Sequence, residues 1–363
     1  MTKNLRLFAF FILSLGALLL LSGCTGSGLT NSWPGVTVSE DGQTAYISNN
    51  AHVYVVNLTS GTEQWRFPQS VEKNVVFYAP VAVGEDGQVL AASYDFKLYS
   101  INPSGATQNW VATNSTSRYI AGPLSDGDLI LAPSSDSNLY AFDQQGTLQW
   151  TFTAQHELWS TPVVNKDTIY LAGMDHHVYA LKRSTGEMLW QTEDLGGAMA
   201  DTPTFNPDGK LYVGTYASEL IALDAATGDV LWEVPAGGWI WSSPLLRDGV
   251  LYYGSLAGEV FAVDAVSGSI KWRIQPATGP NQAVVGRPAL IGTTLYYATQ
   301  AGILYAVDVA SGAPLWNKQL QGQILANLQV SGDTLLVAPM AVDPILLALD
   351  PSGNQKWAFV PAK

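Results

Sequence analysis

The chain has 363 residues, 47% hydrophobic and 13% charged, a balance that excludes a disordered chain and is large enough for several ordinary cores or one repetitive one. A formal net charge of −13 argues against nucleic acid and anionic lipid headgroups as partners, because the field of the chain repels both. With 34 glycines and 12 tryptophans, the composition favours tight turns and aromatic packing, which points to an all-β protein.

The first segment in chain order stands apart from the fold. Lys3 and Arg6 precede the apolar run Leu7 to Leu21, and small residues close it, which is the layout of a secretory signal peptide. The run is 15 residues long, short of the roughly 17 to 25 that a bilayer-spanning helix needs. The tetrad Leu21-Ser22-Gly23-Cys24 resembles a bacterial lipobox. That resemblance implies cleavage before Cys24 and lipidation of this cysteine, which is the sole one in the chain and can form no internal disulfide. Several acyl chains on one residue hold a protein on a membrane far better than a single chain. Residues 1–23 are therefore expected to be a lipoprotein signal peptide, residues 24–32 the lipidated cysteine and a flexible tether rich in Gly, Ser and Thr, and residues 33–363 the folded domain. Cleavage removes two of the 17 basic residues and leaves 15 against 30 acidic ones, a net charge near −15. The expected location is extracytoplasmic and membrane-anchored. Thr25, where an aspartate often signals inner-membrane retention, favours the periplasmic face of the outer membrane in a diderm cell. In a cell with one membrane it would be the outer face of that membrane.

From residue 33 onward one pattern repeats. Trp65, Trp110, Trp150, Trp190, Trp232, Trp272, Trp316 and Trp357 follow one another at intervals of 40 to 45 residues, which defines eight units. Each unit opens with an apolar stretch near a proline, such as "TPVV" at 161–164 or "SPLL" at 243–246. It continues through a run such as "TIYLAG", then a segment such as "HVYALK", a Thr/Ser-Gly turn, and a last run ending in the tryptophan. Short apolar runs alternating with polar residues and bounded by Gly, Asp, Asn and Ser read as strands, so each unit is a four-stranded antiparallel meander. Gly61, Gly146, Gly186, Gly228, Gly268, Gly312 and Gly353 lie four residues before their tryptophans, and Gly105 lies five before. A glycine at that point supplies the left-handed conformation of a type I turn with a bulge, and the fixed offset fixes the register. A single four-stranded sheet cannot bury both faces, so neighbouring sheets must stack, and sheets stacked at a constant rotation close into a propeller. The eight tryptophans are expected to fill the wedges between adjacent blades.

The hairpins "LIALDAATGDVLW", "VFAVDAVSGSIKW" and "LYAVDVASGAPLW" resemble the repeats of the pyrroloquinoline-quinone (PQQ)-like β-propellers, and with the lipobox the chain resembles BamB-type lipoproteins. The resemblance covers residues 33–361 and implies an eight-bladed β-propeller of four-stranded antiparallel blades. It also implies a scaffold that helps assemble outer-membrane proteins, with the outer-membrane assembly machinery as partner and the chain a monomer. Blade 1 begins with "WPGVTVS" and blade 8 ends with "QKWAFV", so no strand is expected to be borrowed across the closure.

Resemblance to quinoprotein dehydrogenases would imply a quinone held over the axis by calcium-binding acidic and amide residues, with a catalytic aspartate and often a vicinal cysteine pair. One cysteine cannot supply that pair, so no cofactor and no catalytic residues are expected, and PQQ-dependent catalysis is the least favoured reading. Asp175-His176-His177 occupies a hairpin position, where adjacent side chains point to opposite faces and rarely ligate together, and no metal site is expected. Binding is the better prospect. The residues leading into each inner strand are expected to ring the axis on one face: Tyr78, Arg118, Tyr119, Trp159, Asp201, Trp239, Trp241, Arg287 and Asn327. Aromatic residues and arginine dominate interface hot spots, so this rim suits a peptide, a strand or, in the alternative reading, a surface carbohydrate or small ligand.

Overall fold

The computed structural model describes residues 33–104, 107–275 and 279–362. The signal peptide, Cys24, the tether and Gly105 lie outside the described residues. The described chain forms eight four-stranded antiparallel sheets, each built from four consecutive strands: residues 35–67, 82–112, 124–153, 163–191, 204–235, 245–274, 289–319 and 329–359, here blades 1 to 8. In blade 4 the strands are Val163–Asn165, Thr168–Ala172, Val178–Lys182 and Met188–Gln191. First strands of neighbouring blades touch one another, which places them around the axis and the tryptophan-bearing fourth strands at the periphery.

The core is divided among the seams. Eight apolar clusters each join two adjacent blades, and the one formed by Ile47, Tyr54, Val56, Leu336, Leu346 and Phe359 joins blade 8 to blade 1. The ring is therefore closed. Among the described residues no strand crosses the closure, since blades 1 and 8 each keep four strands of their own. Second and third strands are covered on both faces, as in Leu129–Pro133, where every residue is buried. Apolar runs therefore replace the simple alternation expected from a sheet with one solvated face.

Each hairpin preceding a tryptophan carries a bulge, as at Ala180/Leu181 in blade 4, and Gly186 there has φ +71°. In blades 3 to 8 the residue directly across from the tryptophan is alanine, which leaves room on that face for the indole. The ring leans on the next blade. A Cβ placed on Gly186 would stand 2.4 Å from the Trp150 ring, and one on Gly61 would stand 2.6 Å from the ring of Trp357. The same neighbour relation holds for Gly146, Gly228, Gly268, Gly312 and Gly353. Several indoles also donate Nε1–H to a carbonyl of that hairpin: Trp150 to Arg183 (3.2 Å), Trp272 to Val309 (3.0 Å) and Trp357 to Leu58 (2.9 Å). The glycine thus has two functions, turn geometry in its own blade and clearance for the preceding blade's ring.

Candidate functional site: the axial funnel

The connections between blades are stapled by backbone hydrogen bonds in a repeating pair. The carbonyl of Arg118 accepts from Ser135 N–H in the following blade, and the N–H of Tyr119 donates to Ser93 in the preceding one. The same two bonds recur at Glu157/Leu158, Ala198/Met199, Trp239/Ile240 and Ala283/Val284. The second residue of each pair is an apolar anchor: Tyr119, Leu158, Ile240 and Val284 are all fully buried and Met199 nearly so. Side-chain direction beyond the staple follows from this register. The residue after each anchor points to the axis, giving Tyr78, Ile120, Trp159, Ala200, Trp241, Val285 and Leu325 around one cavity. "WPGV" at 33–36 aligns with "YAPV" at 78–81, so Trp33 is the eighth member, and it lines the same cavity.

This frame sorts the nine expected rim residues. Tyr78, Trp159, Asp201, Trp241, Arg287 and Asn327 line the axial funnel, a cavity of about 470 Å³. Arg118, Tyr119 and Trp239 do not. Tyr119 is an anchor inside the seam between blades 2 and 3, so it is a core residue rather than a rim residue. Arg118 places its guanidinium over the Tyr94 ring at 5.0 Å. Trp239, 48% exposed, stacks on Tyr216 at 4.8 Å and 6°. These three fall one or two residues early in the repeat, at the staple rather than past it. Trp33, Tyr94 and Tyr216 join these residues without being among the nine expected ones. Alignment of the blade 1 opening with the blade 2 opening would have found Trp33.

Two aromatic ladders connect the rim to the funnel. Arg118, Tyr94 and Tyr78 form one, with the two tyrosines stacked at 4.1 Å. Trp239, Tyr216, Trp241 and Trp33 form the other, and its last step joins blade 6 to blade 1 at 5.2 Å, across the mouth of the channel. Burial pushes the Tyr216 phenol above its ordinary pKa, so it stays neutral in the stack. Trp159 is held by Nε1–H donation to Ser135 Oγ at 3.1 Å.

Below the aromatic mouth the funnel changes character by sector. Gly35, Pro80 and Gly122 form an apolar arc in blades 1 to 3, while Thr161, Thr202, Ser243, Arg287 and Asn327 form a polar arc in blades 4 to 8. Gly35 has no room for a side chain, since its Cβ would stand 2.3 Å from Pro80 N. Asp201 is occupied locally: one carboxylate oxygen accepts from Thr202 N–H (2.7 Å), the other from Ser243 N–H (2.9 Å) and its hydroxyl (3.3 Å). No histidine, cysteine or lysine is among the described residues lining the funnel, and Asp201 is the sole carboxylate there. A calcium-held quinone needs several converging oxygen ligands. These residues do not fit one. Among the described residues no group of three or more His, Cys, Asp or Glu could hold a metal ion. His176 and His177 diverge, the first toward Asp194 (3.1 Å) and the second to the Thr192 carbonyl (2.9 Å).

Comparison with known proteins gives a consistent family. The profile of the family described as outer membrane protein assembly factor BamB matches residues 49–197, 174–317 and 285–363. BamB of Bordetella pertussis is 27% identical over 124 residues, 33% of this chain and 32% of that protein, so the match spans about a third of the relative's length. The serine/threonine-protein kinase AfsK of Streptomyces coelicolor is 32% identical over 97 residues, 27% of this chain and 11% of the kinase. Among solved structures, BamB from Moraxella catarrhalis superposes with a TM-score of 0.68 at 19% identity, covering 84% of this chain and 90% of that one, a likeness of fold.

Proposed function

Since the chain belongs to the outer membrane protein assembly factor BamB family, we propose that it is a non-catalytic, lipid-anchored propeller that docks protein partners during outer-membrane protein assembly. Cys24 carries the lipid, and the ring acts as a monomeric scaffold on the periplasmic face of the outer membrane. One observation carries the docking reading. In a repeat of eight, the sector that breaks the pattern is the place to look for function. The two residues before each peripheral tryptophan are polar in blades 1, 2 and 8 (Glu63-Gln64, Gln108-Asn109, Gln355-Lys356), one apolar and one polar in blades 3 and 6 (Leu148-Gln149, Ile270-Lys271) and Pro314-Leu315 in blade 7, whereas in the adjacent blades 4 and 5 both are large and apolar, Met188-Leu189 and Val230-Leu231. All four of these apolar residues are 44–52% exposed. They lie on outer strands whose far edges pair with no other strand among the described residues. Exposed edges are ordinarily guarded by charge or proline. The blade 4 strand Met188–Gln191 carries neither, and the blade 5 strand Val230–Pro235 carries them only past its tryptophan, at Glu233 and Pro235. An edge that is apolar over this stretch suits an extended segment of a partner, which gains backbone hydrogen bonds from the edge and side-chain contacts from its flanks.

The test is affinity capture from solubilised envelopes with the wild-type chain and with Leu189→Lys/Leu231→Lys. The wild type should recover the outer-membrane assembly barrel and the double variant should lose it while melting at the same temperature. Failure of the wild type to recover any assembly component would overturn the role. Equal recovery by both would move the docking surface elsewhere on the ring.

A further inference from the structure

The geometry points to a second site, independent of any partner at the blade edges: we propose that the axial funnel binds a small carboxylate carried on a flat, partly apolar body. Among the described residues, Arg287 is the single cationic one lining the funnel. Its guanidinium meets no carboxylate within 4.0 Å among the described residues, in contrast to Arg66, Arg183 and Arg273, each of which is paired with an acidic side chain. Its Nε is buried without a hydrogen-bond partner. A buried, unpaired guanidinium donor is expensive, and such a group in a native fold calls for a partner from outside the chain. Asp201 in the same cavity forms no ion pair with it, and its oxygens accept instead from Thr202 and Ser243.

The surroundings say what that partner is. Asn327 Oδ1 accepts from the Arg287 backbone N–H at 2.7 Å, which fixes the chain beneath the guanidinium and leaves the side chain for a ligand. Arg287 lines both the funnel and a second cavity of about 330 Å³ beside the inner strands of blades 6 to 8, so it is shared between the two. Its planar fork matches a carboxylate in two parallel hydrogen bonds. Trp33 and Trp241, in tilted contact with each other at 5.2 Å and 51°, line the same cavity and offer it aromatic surface on which a planar ring or the apolar face of a sugar can pack. The funnel volume of about 470 Å³ falls in the range of small-ligand pockets. With a chain net charge of −13, selection for an anion comes from contact at Arg287 and not from long-range steering.

The test uses two matched pairs of probes on the mature chain in detergent, with affinity read by ligand-observed NMR: N-acetyl-tryptophan against its amide, and phenyl glucuronide against phenyl glucoside. At least one charged member should bind about tenfold or more tighter than its neutral partner, the ratio a charge-assisted hydrogen bond typically carries. Arg287→Gln should abolish that ratio and Arg287→Lys should retain part of it, with unchanged melting. A preference confined to the first pair would identify a peptide-like carboxylate, and one confined to the second an acidic sugar; both support the proposal. Equal binding within each pair, no binding by any probe, or a charge preference that survives Arg287→Gln would overturn it.

Discussion

Gly186→Ala isolates the contact that repeats around the ring. Two effects add at this position. The backbone sits at φ +71°, where an L residue costs about 1–2 kcal/mol relative to glycine. The new methyl would also stand 2.4 Å from Trp150 Cε3, and overpacking of this kind costs about 1–3 kcal/mol. The expected loss is therefore about 2–5 kcal/mol. Gly209→Ala is the control: φ is +84° but a Cβ there meets nothing within 4 Å, so only the backbone effect of about 1–2 kcal/mol applies. Equilibrium urea unfolding of the two variants against wild type, followed by far-ultraviolet circular dichroism, measures the difference. Gly186→Ala should be the less stable by about 1–3 kcal/mol. Equal losses would refute the idea that the indole of one blade occupies the space above the glycine of the next.

Two further outcomes follow. Hydrogen bonds from the Ser267 N–H and hydroxyl, together with Lys271, hold the Asp264 carboxyl down to about 2 in the hairpin before Trp272. A depressed carboxylate contributes stability that is present above its unfolded value near ~4 and lost as pH falls toward the folded value. The urea midpoint should drop between pH 5 and pH 2.5 by more in wild type than in Asp264→Asn, which keeps the acceptor oxygen without titrating; equal drops would assign the acid lability elsewhere. Cys24→Ser should move the chain from the membrane pellet to the soluble fraction on cell fractionation, and retention in the pellet would contradict the lipid anchor.

The fold was legible because its signals are local and periodic. Tryptophan spacing counted the blades, and the glycine offset predicted the bulged hairpin, now seen with Gly186 at positive φ. What the spacing did not show is that each of the seven described glycines faces another blade's ring, since sequence position within a unit says nothing of which neighbour approaches. The rim was legible only in part. Tyr78, Trp159 and Trp241 were found because they are aromatic at a shared offset, whereas Arg118, Tyr119 and Trp239 were drawn in by residue type alone. Side-chain direction in those connections is set by the backbone staples to Ser93, Ser135 and Leu256, which have no sequence signature. Trp33 opens the blade 1 pattern "WPGVTVS" yet stands in the same frame as Tyr78. The lone arginine was visible, but its lack of a partner depends on which carboxylates reach it in three dimensions.

Both the scaffold and the funnel require a closed ring, and the seam between blades 8 and 1 can be examined directly. Ser331 Oγ donates to the Gly42 carbonyl at 2.8 Å, and a Cβ at position 42 would stand 2.9 Å from that oxygen. The pair Gly42→Cys/Ser331→Cys, in a Cys24→Ser background, should form an intramolecular disulfide spontaneously, seen by intact mass as the loss of two hydrogens and by faster migration on non-reducing gels. Two free thiols, or disulfide-linked dimers only, would contradict a ring in which the first and last blades meet.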